Sequence, residues 1–384
     1  MLIAIDANVL TRKNRTGTEW YVFELLQEMM KLPLAAEEKI ILYTSAPLED
    51  EVFKSLPAGW SIQILKWNLK KGWTHGRLSW ELTRRSPDIF FSPAHEVPLR
   101  HGEAKIITTV HDIAFRIVGG VYSKKGQKRH AWATARALKL ADRILTVSET
   151  TKNDLIRVYK HPEDKITATP LAVRAGEFHV DDEVISATLH KYRLAKKRYI
   201  FTVGRVEKKK NIATLITAFG EYKKARGIGD PFELIIGGSP GFGIEEIKYA
   251  YKNSGATDKI RFLGYVPQED VAPLIAGARF YAFPSYYEGF GIPALEAMAA
   301  GTPLAASDIP ALREVAGEAA LFASPTNTAA WTKNITRLAR DEELCADLAA
   351  KGRARMKEFS WTRTAQQTLA AIRALDDGHP LPLE

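Results

Sequence analysis

The chain has 384 residues, 46% hydrophobic and 26% charged, which excludes an intrinsically disordered chain and exceeds what one hydrophobic core usually supports. Cys345 is the only cysteine, so an internal disulfide and a cysteine-based metal site are excluded and a reducing, cytoplasmic setting is expected. The net charge of +9 is uneven: between Lys66 and Arg143 stand 16 Lys or Arg against 6 Asp or Glu, while the rest is nearly neutral.

In chain order, the opening "MLIAIDANVL" reads as a buried strand with an acid inside it rather than as a signal peptide. No run approaches the roughly 18 to 20 apolar residues of a spanning helix, so any membrane contact is expected to be peripheral. Strands buried on both faces are expected over 2–9, 39–45, 87–95, 105–113 and 142–149. Between them "EWYVFELLQEMMKL" and "KKGQKRHAWATARALKLA" have helical spacing, which gives the βαβ rhythm of a parallel sheet. After "KITATPLAV" comes a polar stretch without strand signal, and then a second series over 199–205, 232–238, 259–266, 278–285, 302–308 and 319–325. The reading is therefore an α/β protein of two Rossmann-like domains, 1–175 and 199–358, with a connection at 176–198. A last helix within 359–384 is expected to pack back on the first domain. Ligands of such sheets sit beyond the carboxyl ends of the strands, and two domains of this kind would face each other across a cleft.

The candidate chemistry falls at those strand ends. "FTVGRVEKKKN" ends a strand at Gly204 and then supplies Arg205 and Lys210. A cation pair between a strand and a helix N-terminus suits a diphosphate, although the pair alone favours a solvated basic turn. In "YYEGFGIPALEAMAAGTPLAASD", Glu288 and Glu296 bracket a glycine loop, and Glu296 falls about one turn into the following helix. A carboxylate accepts two hydrogen bonds from vicinal hydroxyls, so one acid could hold a ribose and the other a sugar ring. The competing reading is that Glu296 decorates a helix face.

The segment "YEGFGIPALEAMAAGTPL" resembles the E-x7-E signature of the family-4 retaining glycosyltransferases, which have the two-Rossmann GT-B architecture. "VGRVEKKKN", "IRFLGYV" and "TTVHDIAF" resemble their other motifs, in the same order. The resemblance implies Arg205 and Lys210 on the nucleotide diphosphate, Glu296 on the ribose and Glu288 on hydroxyls of the transferred sugar. It further implies the backbone of Gly289, Phe290 and Gly291 along sugar and phosphate, Val266 on the base, and His111 beside the sugar. Gly17 matches the glycine that lets an N-terminal loop approach the donor phosphate, but Thr18 and Glu19 stand where the family more often has a second glycine and an arginine. The resemblance implies a cytoplasmic hexosyltransferase working with retention, its donor a nucleotide sugar and its acceptor a glycan or lipid-linked glycan of cell-surface polysaccharide. The likeness is nearest to mannosyltransferases of polysaccharide assembly, so GDP-mannose is the favoured donor, with UDP-sugars and deoxysugar donors open. A nucleotide-sugar epimerase of the same architecture is the alternative enzyme. No metal cofactor is expected, because Arg205, Lys210 and helix dipoles would neutralise the phosphates.

Residues 65–85, "LKWNLKKGWTHGRLSWELTRR", place Trp67, Trp73 and Trp80 among Lys66, Lys70, Lys71, Arg77, Arg84 and Arg85. This suits an anionic membrane on the inner face, and equally an ordinary surface with buried tryptophans. No nucleic-acid module is recognisable, and no nucleic-acid partner is expected.

Overall fold

The computed structural model describes residues 1–12, 15, 17–69, 71–227 and 229–377. The chain forms two compact units, one of residues 1–113, 125–171 and 360 onward, the other of residues 114–124 and 172–359.

The first unit is built on seven parallel strands: β1 (Leu2–Asp6), β2 (Lys39–Thr44), β3 (Trp60–Ile64), β4 (Ile89–Ser92), β5 (Lys105–Val110), β6 (Arg143–Thr146) and β7 (Ile166–Ala168). Their order is β3-β2-β1-β4-β5-β6-β7, so the winding reverses between β1 and β4. There the carboxyl ends diverge and leave a crevice for a ligand. Two strands lacked a sequence signal for physical reasons. The edge strand β3 exposes residues on both faces, and β7 is only three residues long. Helix Gly17–Met29 buries Tyr21, Leu25 and Met29 at four-residue spacing. Helix Trp361–Asp377 covers it, with Ala365, Leu369 and Ile372 buried and the Tyr21 and Trp361 rings 6.2 Å apart. Arg373 donates to both carboxylate oxygens of Glu38 at 2.7 and 2.6 Å, which ties the last helix to the loop before β2. Residues 378–384 of the expected C-terminal segment lie outside the described residues.

The second unit carries β8 (Tyr199–Val203), β9 (Glu233–Gly237), β10 (Ile260–Gly264), β11 (Phe280–Phe283), β12 (Leu304–Ser307) and β13 (Ala320–Ala323). All are parallel, in the order β10-β9-β8-β11-β12-β13, and the winding reverses between β8 and β11. Both strands are buried almost throughout, with Ile200, Phe201, Phe280 and Tyr281 inaccessible. Residues 176–198, expected as a connection, belong to this unit. Their helix Asp182–Tyr192 buries Ile185, Thr188 and Leu189 and packs on helix Gln268–Gly277, where Lys191 and Tyr192 both donate to Asp270. Its polar surface hid an apolar stripe at helical spacing. Among the described residues no helix is long and apolar enough to cross a membrane.

Candidate active site

The reversal between β8 and β11 decides where the cations and acids meet. The loop after β8 carries Arg205 and Lys210, and the loop after β11 carries Glu288, so adjacent strands deliver both to one strand-end crevice. Lys210 Nζ donates to Glu288 Oε1 at 2.7 Å and lies 5.4 Å from the Phe283 ring. Glu288 is buried, and burial would push its carboxyl up. Lys210, then Lys209, outweigh burial and hold it below the usual carboxylate range. It is an ionised hydrogen-bond acceptor at neutral pH.

Glu296 sits in helix Ile292–Ala299, which opens at Gly291 with Pro293 in its first turn. Burial, with Glu177 adding to it and Lys210 opposing it, pushes its carboxyl up to about 7. Gly291 has φ 121°, and a Cβ there would stand 2.6 Å from Leu312 Cδ2, so this position requires glycine. Phe290 turns its ring inward, 5.8 Å from Phe359 and edge-on, and Gly289, Phe290 and Gly291 are all buried. Gly289 precedes it in the same loop.

Arg205 stands apart from this group. Its side chain is 68% exposed and its ion-pair partner is Glu207 at 3.8 Å. Val266 is buried, and a Cβ on Gly237 would meet it at 2.8 Å, so any ligand contact at this position falls to its main chain.

Three contributors carried little sequence signal. Asn211, buried with φ 53°, donates through Nδ2 to the carbonyls of Pro284 at 2.9 Å and Pro325 at 2.7 Å. It thereby fastens the Lys210 loop to the ends of β11 and β13. Gly238 ends β9 against the cation loop: a Cβ there would lie 1.8 Å from the Gly204 carbonyl oxygen. Beyond it Val206 N–H donates to Ser239 at 2.9 Å and Lys208 N–H to Phe242 at 2.7 Å. The glycine-rich run "GGSPGFG" is the only trace of this brace in the sequence. Glu177 lies in the turn Ala175–Phe178, paired with Arg174 at 2.9 Å.

His111 and Gly17 belong to the first unit. His111 follows β5, and its Nε2 lies 2.8 Å from the Pro93 carbonyl. A carbonyl only accepts, so Nε2 carries the proton and the neutral ring keeps Nδ1 as an acceptor. Burial lowers its pKa, opposed by the Pro93 hydrogen bond, Asp112 and Glu19, and the ring stands edge-on to Tyr21 at 4.9 Å. Gly17 opens its helix with nothing within 4 Å of a would-be Cβ. Lys13, Asn14 and Thr16 of the same loop lie outside the described residues. Glu19 is buried and pairs with Arg12, an acid in a helix's first turn where the dipole favours it.

Of the basic aromatic stretch, Trp73 is buried with Nε1 donating to Leu65 O at 2.9 Å, and Trp67 donates to Lys71 O at 3.0 Å. Trp80 is the exposed tryptophan of the three. Lys70 lies outside the described residues.

Comparison with known proteins places this geometry. An O-antigen chain mannosyltransferase B from Escherichia coli is 32% identical over 299 residues, covering 78% of this chain and 77% of that one. The chain belongs to the family-4 glycosyltransferases. The family model for Glycosyltransferase Family 4 matches residues 15–175, and that for glycosyl transferases group 1 matches residues 188–355. Among solved structures, a sucrose-phosphate synthase from Thermosynechococcus elongatus superposes with TM-score 0.74 at 19% identity, covering 99% of this chain and all of that one. HepE of Anabaena, solved with UDP and glucose, superposes with TM-score 0.73 at 15% identity, covering 98% and 99%. This glycosyltransferase has the GT-B fold.

Proposed function

We propose that this glycosyltransferase moves mannose from GDP-mannose, with retention at the anomeric carbon, to a glycan or lipid-linked glycan of cell-surface polysaccharide on the cytoplasmic side. The observation that carries the donor half is the Lys210–Glu288 pair beside Glu296 at the β8/β11 strand ends. Lys210 and Arg205 take the diphosphate, Glu296 the ribose diol, and Glu288 the hydroxyls of the transferred sugar. The main chain of Gly289, Phe290 and Gly291 runs along sugar and phosphate, and that of Val266 along the base. Gly17 admits the donor phosphate to the loop of the first unit, and His111 accepts a sugar hydroxyl at Nδ1.

Glu288 is engaged by a lysine and kept ionised, which suits hydroxyl binding better than proton donation. Retention then proceeds on one face of the sugar: the acceptor oxygen bonds to the anomeric carbon as the bond to the diphosphate breaks, and the acceptor's proton passes to the leaving phosphate. Two cations at the diphosphate make the reaction independent of a metal ion, so chelator should leave the rate unchanged. Mannose as the transferred sugar is supported by the name of the Escherichia coli relative. A UDP-sugar donor is the second reading, supported by the UDP and glucose with which HepE was solved. The partners proposed are thus a nucleotide sugar and a glycan, with no nucleic acid, and a peripheral contact of residues 65–85 with anionic membrane.

Thermal shift against a panel of nucleotide sugars tests the donor, since a ligand bound only by the folded protein raises its melting temperature by mass action. GDP-mannose is expected to give the largest shift, followed by transfer of mannose to an O-antigen-type acceptor. A larger shift with UDP-glucose would replace the donor. Isomerised sugar after incubation with donor alone would indicate an epimerase instead.

A further inference from the structure

The acid inside the opening strand has no part in the donor site. Asp6 is the last residue of β1, beside the reversal to β4, and is 4% exposed. Asn8 N–H donates to Asp6 Oδ1 at 3.0 Å, so the carboxyl points beyond the strand end, where ligands of such sheets sit. Asn8 is itself fixed, its Oδ1 accepting from Ser45 N–H at 2.8 Å in the loop after β2. Asp6 Oδ2 has no hydrogen-bond partner among the described residues. Buried polar atoms are ordinarily paired, so the open oxygen marks a place for a donor from outside the chain.

The neighbouring groups decide which donors fit. The loop after β4 carries His95 and Glu96 and is closed by Ser92 Oγ, which donates to the Glu96 carbonyl at 2.8 Å. Burial pushes the Asp6 carboxyl up to about 7, opposed by the Asn8 hydrogen bond, reinforced by Glu96 and opposed by Arg12. The Arg12 guanidinium is already engaged by the buried Glu19. His95 Nε2 lies 3.1 Å from Thr134 Oγ1, and burial, then His111, lower the ring's pKa to about 4, so the imidazole is uncharged at neutral pH. Two acids thus stand at adjoining strand ends, beside an arginine that is spoken for and a neutral histidine. Such surroundings accept hydroxyl protons and repel anions.

We propose that Asp6 takes a hydroxyl of an uncharged acceptor sugar at Oδ2, and that Asp6 and Glu96 together exclude acceptors whose reacting sugar carries a phosphate or a carboxylate. The proposal rests on the transferase reading above and narrows its acceptor to a neutral glycan end. His111 follows β5, the strand on the other side of β4, and in that reading also accepts a sugar hydroxyl. Adjacent strand ends of the first unit therefore present hydroxyl acceptors in a row. A lipid-linked glycan enters with its terminal sugar here and its phosphate outside the crevice.

Binding of mannobiose and of mannose 6-phosphate to the full chain, followed by saturation-transfer NMR in the presence of GDP and by transfer kinetics, tests this. The wild type is expected to bind and extend mannobiose and to do neither with mannose 6-phosphate. Asp6→Asn keeps an acceptor for Asn8 N–H but removes the charge, so the mannobiose KM should rise about tenfold with kcat changed far less. Its GDP-mannose thermal shift should equal that of the wild type. Glu96 is exposed, so Glu96→Gln should fold normally and raise binding of mannose 6-phosphate relative to mannobiose, and further so when combined with Asp6→Asn. This second variant carries the test if Asp6→Asn fails to fold. An unchanged mannobiose KM in folded Asp6→Asn would overturn the proposal. So would a wild type that binds both sugars equally or neither, or a Glu96→Gln variant with wild-type preference. A GDP-mannose shift absent from the wild type, with mannobiose binding still dependent on Asp6, would overturn the donor reading and leave the acceptor residue in place.

Discussion

Lys210 and Glu288 neutralise each other before any donor arrives, so their removal has different consequences from that of the exposed Arg205. Arg205→Ala deletes a diphosphate cation and little else, and should weaken GDP binding by about 1.5 to 3 kcal/mol without lowering the melting temperature. Lys210→Ala should weaken it as much and also lower the melting temperature, because a buried carboxylate loses its partner. Calorimetry finding unchanged GDP affinity in both variants would remove the diphosphate from this loop. Glu296→Ala should weaken GDP itself, whereas Glu288→Ala should spare GDP and reduce turnover of the complete donor. Glu296 adds a pH signature: its carboxyl is pushed up to about 7, and a ribose diol donates better to the ionised form. Donor binding should release a proton, so GDP-mannose affinity should rise with pH through about 7 and level off above it, and Glu296→Gln should flatten the profile. A flat wild-type profile would place the ribose elsewhere. The cations and the two glutamates were legible in the sequence because each motif is contiguous. Glu177 and Asn211 were not, because the groups they act on, Glu296 and the Pro284 and Pro325 carbonyls, stand more than seventy positions away in the chain.

The strand-end loops show why the element, and not the single motif, positions the diphosphate site. Gly238 has φ 128° and leaves no room for a Cβ against the Gly204 carbonyl, whereas Gly255, also left-handed with φ 67°, faces open space. Gly238→Ala should therefore cost about 2 to 4 kcal/mol of stability and displace the cation loop, while Gly255→Ala should cost about 1 kcal/mol and leave GDP binding intact. Urea denaturation and calorimetry on both variants measure this, and equal effects would remove the close approach as the cause. Strands β1, β2, β4, β5, β6 and β8 to β13 all lie inside the expected ranges; most are buried on both faces and so are nearly continuous apolar segments, while the edge strand β10 exposes Phe262. That signal fails at β3, an edge strand that exposes residues on both faces, and at β7, too short to form a run. It fails again at helix Asp182–Tyr192, where three charged residues stand against three buried ones, one of them the polar Thr188.

At the scale of the whole molecule, the first unit is closed by a helix that arrives 335 residues after the acid it grips. Glu38 is buried, and the Arg373 hydrogen bonds hold its carboxyl below the ordinary 4.5 against the opposing effect of burial. A depressed carboxylate contributes stability that is present above its unfolded value and is lost as pH falls through its folded value. Arg373→Ala should therefore lower stability by about 1 to 3 kcal/mol at neutral pH, a range discounted because the arginine is partly exposed. Below the folded value, where Glu38 is protonated in wild type and variant alike, the two should converge. Urea denaturation at pH 7, 5 and 3, with protection of Ala365, Leu369 and Ile372 amides from hydrogen exchange as a local readout, would follow both effects. A deficit that does not shrink as pH falls would show that Arg373 acts instead through its apolar stem and its hydrogen bond to the Pro33 carbonyl at 3.2 Å.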